Sequence, residues 1–269
     1  MRYISSRDNA LLKHLQALAK SGRERRKHSQ TLLDGAHLIT AACNAGFTPD
    51  TLVVSESGMA GVEIAKLLER LQGVEQVALP DALFAHASPV DTPSGLLAVM
   101  QTPLPEPPAR LDGTVLLLER VQDSGNLGTM LRTAAAAGVR CALLTEGCAQ
   151  AWSPRVLRAG MGAHFALEIF ERVEVGEMVS RFRGEVLATA LGAESGSLFE
   201  RDLRGPTMWL FGAEGAGLSE AALALASARV TIPMPGEVES LNVAAAAAIC
   251  LFEQVRQVAA HDRASISWK

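Results

Sequence analysis

The chain has 269 residues, of which 48% are hydrophobic and 20% charged, with a formal net charge of −4. Whole-chain disorder and a charge-rich coiled coil are excluded by that composition, and near-ordinary glycine and proline usage excludes collagen-like or low-complexity sequence. Only 4% of residues are aromatic and Tyr3 is the single tyrosine, which argues against a sheet that stacks RNA bases on aromatic platforms. At ~100–200 residues per domain, the length suggests about two domains.

In chain order, Leu11, Leu12, Leu15, Leu18 and Ala19 recur at a helical period, predicting a helix over 9–20 capped by Asp8 or Asn9. A basic cluster follows. The pattern then predicts strands at 31–34, 51–55, 74–78 and 95–100, alternating with helices at 37–45, 61–71 and 81–87. That alternation describes a compact α/β module over residues 1–102. Residues 103–110 hold Pro103, Pro105, Pro107 and Pro108, which can join neither a helix nor a central strand and read as an extended linker. Beyond it, apolar strands are predicted at 114–118, 140–145, 165–169, 185–190, 207–211 and 230–232. Helices are predicted at 127–137, from 154, at 173–181, at 220–225 and over 241–259. Repeated β-α-β units with continuous apolar strands predict a mostly parallel sheet covered on both faces, over 111–269.

Charge is unevenly spread. Residues 1–30 carry eight Arg and Lys against Asp8 and Glu24, a local +6 that leaves −10 on the other 239 residues. A basic arm on an acidic body reads either as an electrostatic footprint for a polyanion, nucleic acid first, or as a solvated helix face. Neither a signal peptide nor an apolar run near the ~20 residues of a membrane span is legible, so the cytoplasm and no membrane are expected. Cys43, Cys141, Cys148 and Cys250 are scattered and the six histidines show no ligand spacing, so buried reduced thiols and no metal are expected.

Three glycine- and polar-rich stretches follow strands of the second module, where open parallel sheets bind ligands. The first, residues 119–138, opens a helix whose stripe is Leu127, Leu131, Ala134 and Ala135; Arg132 lies off that stripe and reads as a surface arginine or a functional one. The second, residues 210–219, has the order G-x-x-G-x-G (Gly212, Gly215, Gly217), which is not the dinucleotide fingerprint. Glu214 inside it would repel a phosphate and suits a cation or a nearby arginine. In the third, residues 232–255, Ser240 is a plausible N-cap for a helix whose alanines, 244–248, demand a close neighbour.

Together the three stretches resemble the motifs of the SPOUT-superfamily RNA methyltransferases, in particular the TrmH (SpoU) ribose 2′-O-methyltransferases, over about residues 111–260. The match includes Asn126, Gly128 and Arg132 in the first, Phe-Gly-x-Glu-Gly-x-Gly-Leu-Ser in the second, and Ile-Pro-Met with Ser-Leu-Asn-Val in the third. The first hundred residues are similar in layout to the small α/β RNA-binding domain that precedes the catalytic domain in many family members. The resemblance implies a C-terminal trefoil knot, a homodimer, and S-adenosyl-L-methionine held largely by backbone groups. By position, Gly212, Ile232 and Leu241 match cofactor-contacting residues, with Leu191, Gly192 and Met234 as further walls. Arg132 matches the catalytic arginine. A guanidinium is a poor base, so holding RNA phosphate and stabilising the developing alkoxide suit it better, with removal of the hydroxyl proton as the alternative role. Glu214 is expected to orient Arg132, Asn126 and Asn242 to position loops or ribose, and Ser240 to touch substrate as well as cap. In that context Arg23, Arg25, Arg26 and Lys27 are expected to grip RNA phosphates.

A ribosomal RNA substrate is expected, with transfer RNA the close variant. A non-catalytic RNA-binding protein of the same fold is disfavoured by the joint presence of Asn126, Arg132, Glu214 and Asn242. A nicotinamide-dependent oxidoreductase is disfavoured by the glycine order.

Overall fold

The computed structural model describes residues 1–90, 92–192 and 194–261. The chain forms two compact units, one of residues 1–103 and 150–165, the other of 104–149 and 166–269.

The first unit contains β1 (Arg2–Tyr3), α1 (Ala10–Lys20), α2 (Gly22–His28), β2 (Gln30–Asp34), α3 (Ala36–Asn44), β3 (Thr51–Ser55), α4 (Val62–Arg70), β4 (Glu75–Leu79), α5 (Asp81–Ala87) and β5 (Leu96–Gln101). Its sheet runs β1-β4-β3-β5-β2, with β5 antiparallel to both neighbours. The predicted N-cap is resolved in favour of Asn9, whose Oδ1 accepts from Leu11 N at 2.9 Å. Leu12, Leu15 and Leu18 of α1 are buried with Leu32, Val53, Val77, Leu97 and Phe84 in one core. The periodicity that predicted α1 is therefore the stripe that holds it to the sheet.

The second unit contains β6 (Thr114–Leu118), α6 (Ser124–Ala136) and β7 (Cys141–Thr145). There the chain leaves for the first unit as α7 (Pro154–Gly160) and a 3₁₀ turn at Ala163–Phe165. Expectation had a contiguous catalytic module over 111–269, but residues 150–165 pack with the first unit: the Thr31 hydroxyl donates to the Trp152 carbonyl at 2.6 Å, and Phe47 meets Phe165 at 5.5 Å between ring centroids. The second unit resumes with β8 (Glu168–Val173), α8 (Val175–Arg181), β9 (Glu185–Thr189), β10 (Gly196–Ser197), β11 (Thr207–Phe211), α9 (Glu220–Leu225), β12 (Ala228–Thr231) and α10 (Val243–His261). β8 thus begins three residues later than the strand predicted at 165, because Phe165 belongs to the aromatic cluster of the first unit.

The seven strands run β10-β12-β9-β11-β6-β7-β8 and every pair is parallel. Val115, Leu117, Met208 and Leu210 share one buried core with Met178, Phe182 and Ala222. Next to them in sequence, Trp209 donates through Nε1 to Gln254 of α10 at 2.8 Å, which places α10 over the opposite face. α10 packs along α6, and small buried residues on both (Gly128; Ala244 and Ala247) let the axes approach closely. α6 is the close neighbour that the alanine run demanded. Length and composition alone would allow α10 to cross a membrane, yet Ala244, Ala247, Cys250, Leu251 and Gln254 are buried within the protein.

Candidate active site

β6 and β11 lie side by side, Leu118 opposite Phe211, and their onward connections diverge. β6 leads through α6 to β7 on one side, whereas β11 leads through α9 to β12 on the other. Such a divergence opens a crevice at the carboxyl ends of the strands. Glu119 sits buried at its base. Its two carboxylate oxygens accept from Ser219 N and Ser219 Oγ, both at 2.7 Å, while its own N–H donates to Phe211 O at 2.8 Å. Ser219 in turn caps α9 by accepting from Ala222 N. Sequence reasoning assigned Glu119 no role; an acid at the end of an otherwise apolar strand was the available signal.

Above that base, three predicted residues meet in a chain whose polarity is dictated from one end. Asn242 Oδ1 accepts from Ala244 N at 2.9 Å and Ala245 N at 3.2 Å, capping α10. Because those N–H groups only donate, the amide must turn its Nδ2 outward, where it donates to Asn126 Oδ1 at 3.0 Å. Asn126 then has only its own Nδ2 to offer, and this donates to Glu214 Oε1. Asp123 holds Asn126 from behind, capping α6 by accepting from Asn126 N at 2.7 Å. The loops after β6, β11 and β12 are tied at one point.

Two expectations are corrected here. The cap of α10 is Asn242 and not Ser240, because the helix starts at Val243; Ser240 is exposed and makes no hydrogen bond among the described residues. Glu214 holds Asn126 and not Arg132, because Arg132 lies six residues further along α6, about 9 Å at ~1.5 Å per residue. Arg132 is exposed and makes no hydrogen bond or ion pair among the described residues.

The glycine loop closes on itself. A Cβ on Gly212 would lie 2.1 Å from Gly217 C and 2.2 Å from Leu218 N, and Gly217 N donates to Ala213 O at 2.8 Å. Gly215 and Gly217 have φ of +83° and +65°. Leu191 and Gly192 follow β9, Gly212 follows β11, and Ile232, Met234 and Leu241 follow β12, so all six lie on loops from three adjacent strands. The Thr189 hydroxyl at the end of β9 donates to Leu210 O of β11 at 3.0 Å, and Arg229 of β12 pairs with Glu194 on the loop after β9 at 2.7 Å, which fastens the strand ends that carry these loops. Leu191 is 61% and Leu241 37% exposed, apolar side chains with little cover. Apart from each glycine's own chain neighbours, no atom of the described residues lies within 4 Å of a Cβ built on Gly192, Gly215 or Gly217, and Ser195 Oγ is buried without a hydrogen-bond partner among the described residues. Open backbone, uncovered apolar walls and an orphaned hydroxyl fit an adenosine with a short zwitterionic arm, as in S-adenosyl-L-methionine.

The basic cluster is a helix, α2, which sequence reasoning left unassigned. Arg23, Arg26 and Lys27 are exposed, and Lys27 pairs with Glu24 at 3.6 Å. Arg25 is the exception and corrects the expectation of a phosphate contact. It is 8% exposed, donates through Nη1 to Leu18 O at 2.6 Å, and through Nε and Nη2 to Gln150 Oε1 at 2.9 and 2.6 Å. A phosphate would have to displace all three bonds. The thiols are not uniformly buried either: Cys141 and Cys250 are, and burial pushes both up to about 12, but Cys43 and Cys148 are half-buried.

Residues 113–252 match the SpoU rRNA Methylase family, and residues 9–98 match the MRM3-like substrate binding domain. The chain belongs to the SpoU rRNA methylase family. The 23S rRNA (guanosine(2553)-2′-O)-methyltransferase RlmP of Bacillus subtilis is 33% identical, covering 94% of this chain and 98% of that protein. A 23S rRNA (uridine(2479)-2′-O)-methyltransferase of Streptomyces viridochromogenes is 31% identical over 95% of this chain and 92% of its own length. Among solved structures, the SpoU methyltransferase AviRb from Streptomyces viridochromogenes in complex with AdoMet superposes with a TM-score of 0.82 at 28% identity, covering 93% of this chain and 98% of that one. In this SpoU-family chain the three resembling stretches are therefore the three loops that converge at the crevice.

Proposed function

We propose that this protein transfers the methyl group of S-adenosyl-L-methionine to a ribose 2′-hydroxyl of ribosomal RNA. The observation that carries the proposal is the Glu214–Asn126–Asn242 chain, which ties three strand-end segments at the start of α6, the helix that also carries the exposed Arg132. The similarity to RlmP and to the Streptomyces uridine methyltransferase supports the ribose and the rRNA.

When bound, S-adenosyl-L-methionine supplies an electrophilic methyl carbon for in-line attack by the ribose oxygen. Gly212, Ile232 and Leu241 would hold it through backbone groups, with Leu191, Gly192 and Met234 as walls. Arg132 holds the RNA phosphate and stabilises negative charge growing on the 2′-oxygen as its proton leaves. Its side chain is exposed and makes no hydrogen bond or ion pair among the described residues. Asn126 and Asn242 act as positioning residues: they fix the separation of donor loop and acceptor helix, on which an in-line displacement depends steeply. Arg23, Arg26 and Lys27 contribute sequence-independent affinity for RNA.

The same proposal includes a homodimer, a trefoil knot around the cofactor loops, and the cytoplasm as compartment. Phe252, 48% exposed on α10, supports a subunit contact there. Sedimentation equilibrium tests the dimer and a crystal structure with cofactor tests the knot. The reaction itself is tested by transfer of labelled methyl to unmodified total RNA, separated into 23S, 16S and tRNA and digested to nucleosides. Label in a 2′-O-methylnucleoside of rRNA is expected. Label on a base, or in tRNA alone, overturns the chemistry or the substrate.

A further inference from the structure

Among the described residues, four other than glycine have positive φ: Ser29, Arg120, Met161 and Arg172. Three of them have a local cause. Ser29 and Met161 cap the C-terminal ends of α2 and α7, where the left-handed conformation closes a helix. Arg172 is the extra residue where β8 slips by one against β7, between Glu171 opposite Leu144 and Val173 opposite Thr145. Arg120, at φ +54°, lies outside every helix and strand.

Its place is the crevice. It follows Glu119 at the base, and its N–H donates to the buried Thr145 Oγ1 at 3.1 Å. That bond fixes the turn through the backbone, and a glycine would make it without strain. An arginine held in a conformation that its Cβ disfavours is kept for its side chain. That side chain is exposed and makes no hydrogen bond or ion pair among the described residues. Its stem lies across Gly147, at φ +92°, where a Cβ would come 3.1 Å from Arg120 Cγ. The carboxylate beside Gly147, that of Glu146, is taken by Arg172 at 2.8 Å.

We infer that Arg120 holds a second phosphate of the substrate RNA, besides the one assigned to Arg132. A guanidinium offers a fork of N–H donors that matches phosphate oxygens. The other anion at hand is the carboxylate of the cofactor. The residues that would hold the cofactor follow β9, β11 and β12, whereas the stem of Arg120 leans the other way, onto the loop after β7. β7 stands two strands from β11 and three from β9, about 10 and 14 Å at ~4.8 Å per spacing. The anion on that side is the acceptor strand. The inference rests on the RNA methyltransferase reading and adds to it a residue to which the matching motif positions assign no part.

Two variants of the full chain, Arg120→Gly and Arg120→Lys, separate the task of the side chain from that of the backbone. In Arg120→Gly the melting temperature is expected to rise by about 2–4 °C as the left-handed strain is relieved. The KM for an unmodified 23S rRNA transcript is expected to rise about tenfold, with kcat within about twofold and S-adenosyl-L-methionine affinity unchanged by isothermal titration. The salt slope of transcript binding is expected to fall by ~0.7–0.9, the value for one phosphate contact. Arg120→Lys keeps the charge and the strain, so it is expected to hold KM within about threefold at the wild-type melting temperature. A melting temperature that fails to rise in Arg120→Gly, an unchanged KM and salt slope, or weakened cofactor binding would overturn the inference; the first would make the arginine a packing residue, the last a cofactor contact. Absence of methyl transfer from the wild-type chain would instead overturn the reading beneath it, while the melting temperature and the salt slope would still report on Arg120.

Discussion

Arg25 and Arg26 are neighbours in sequence with opposite tasks. On a helix, Arg23, Arg26 and Lys27 fall on one face at i, i+3 and i+4, and Arg25 points away from them. The four residues look equivalent as a charge cluster and separate once the helical period is applied, so this distinction is legible in the sequence. Arg25→Ala should lower stability by about 2 kcal/mol, since it removes charge-assisted hydrogen bonds to Leu18 O and Gln150 and leaves the buried Leu18 carbonyl without that donor. Arg26→Ala should leave the melting temperature unchanged and weaken RNA binding with a shallower salt dependence. Thermal melts and binding titrations of the two variants separate these outcomes. At Gly212 the constraint is steric: Gly212→Ala must push a methyl into the Gly217–Leu218 backbone, so a loss of about 1–3 kcal/mol is expected. Isothermal titration should show that S-adenosyl-L-methionine binding weakens with it. Arg132→Ala carries no such packing cost, being exposed, and should lower the methyl-transfer rate by about 100-fold or more with cofactor affinity retained.

At the scale of elements, most helices and strands follow from periodicity because each buries a stripe or a whole apolar run. The departures share a cause. β8 starts later than predicted because Phe165 packs with Trp152 in a 3₁₀ turn, and α10 starts later because the Asn242 side chain takes the first free N–H groups. Local propensity was satisfied in either register, and a tertiary partner chose between them. Asn242 joins cap and site, so Asn242→Ala should cost about 1 kcal/mol of stability from the cap alone. It should also lower methyl transfer, because Asn126 loses the donor that sets its orientation. Ser240→Ala, outside the helix and unbonded, should leave stability unchanged; a melting shift comparable to that of Asn242→Ala would contradict this assignment of the cap.

At the scale of the whole molecule, residues 150–165 tie the path of the second unit's chain to the stability of the first. His164 of this excursion is buried, its Nε2 donates to Ala151 O at 2.9 Å, and its Nδ1 has no hydrogen-bond partner among the described residues. Desolvation lowers its pKa to about 4, so the folded ring stays neutral while an unfolded one takes up a proton near its ordinary ~6.5. Between those values the unfolded state binds the extra proton. Stability is therefore full above about pH 6.5 and falls on acidification toward pH 4, by at most about 3 kcal/mol. Melting temperatures across that window should fall less steeply in His164→Gln, which keeps a donor for Ala151 O but cannot titrate. An unchanged slope would place the acid sensitivity elsewhere.

Sequence alone determined the α/β class, the parallel sheet of the second unit, the family resemblance and the three loops of the candidate site. Each of these is written in local pattern: apolar runs, glycines where a Cβ cannot fit, polar residues just past strand ends. Only the tertiary structure decided that Asn126 and not Arg132 donates to Glu214, that Gln150 is the partner of Arg25, that residues 150–165 belong with the first unit, and that Asp34 keeps an oxygen without a hydrogen-bond partner among the described residues. Those outcomes depend on which groups, dozens of residues apart, compete for the same hydrogen bond or the same buried space. A hydrogen bond's partner is set by distance and direction in three dimensions, and residue spacing along the chain does not encode it.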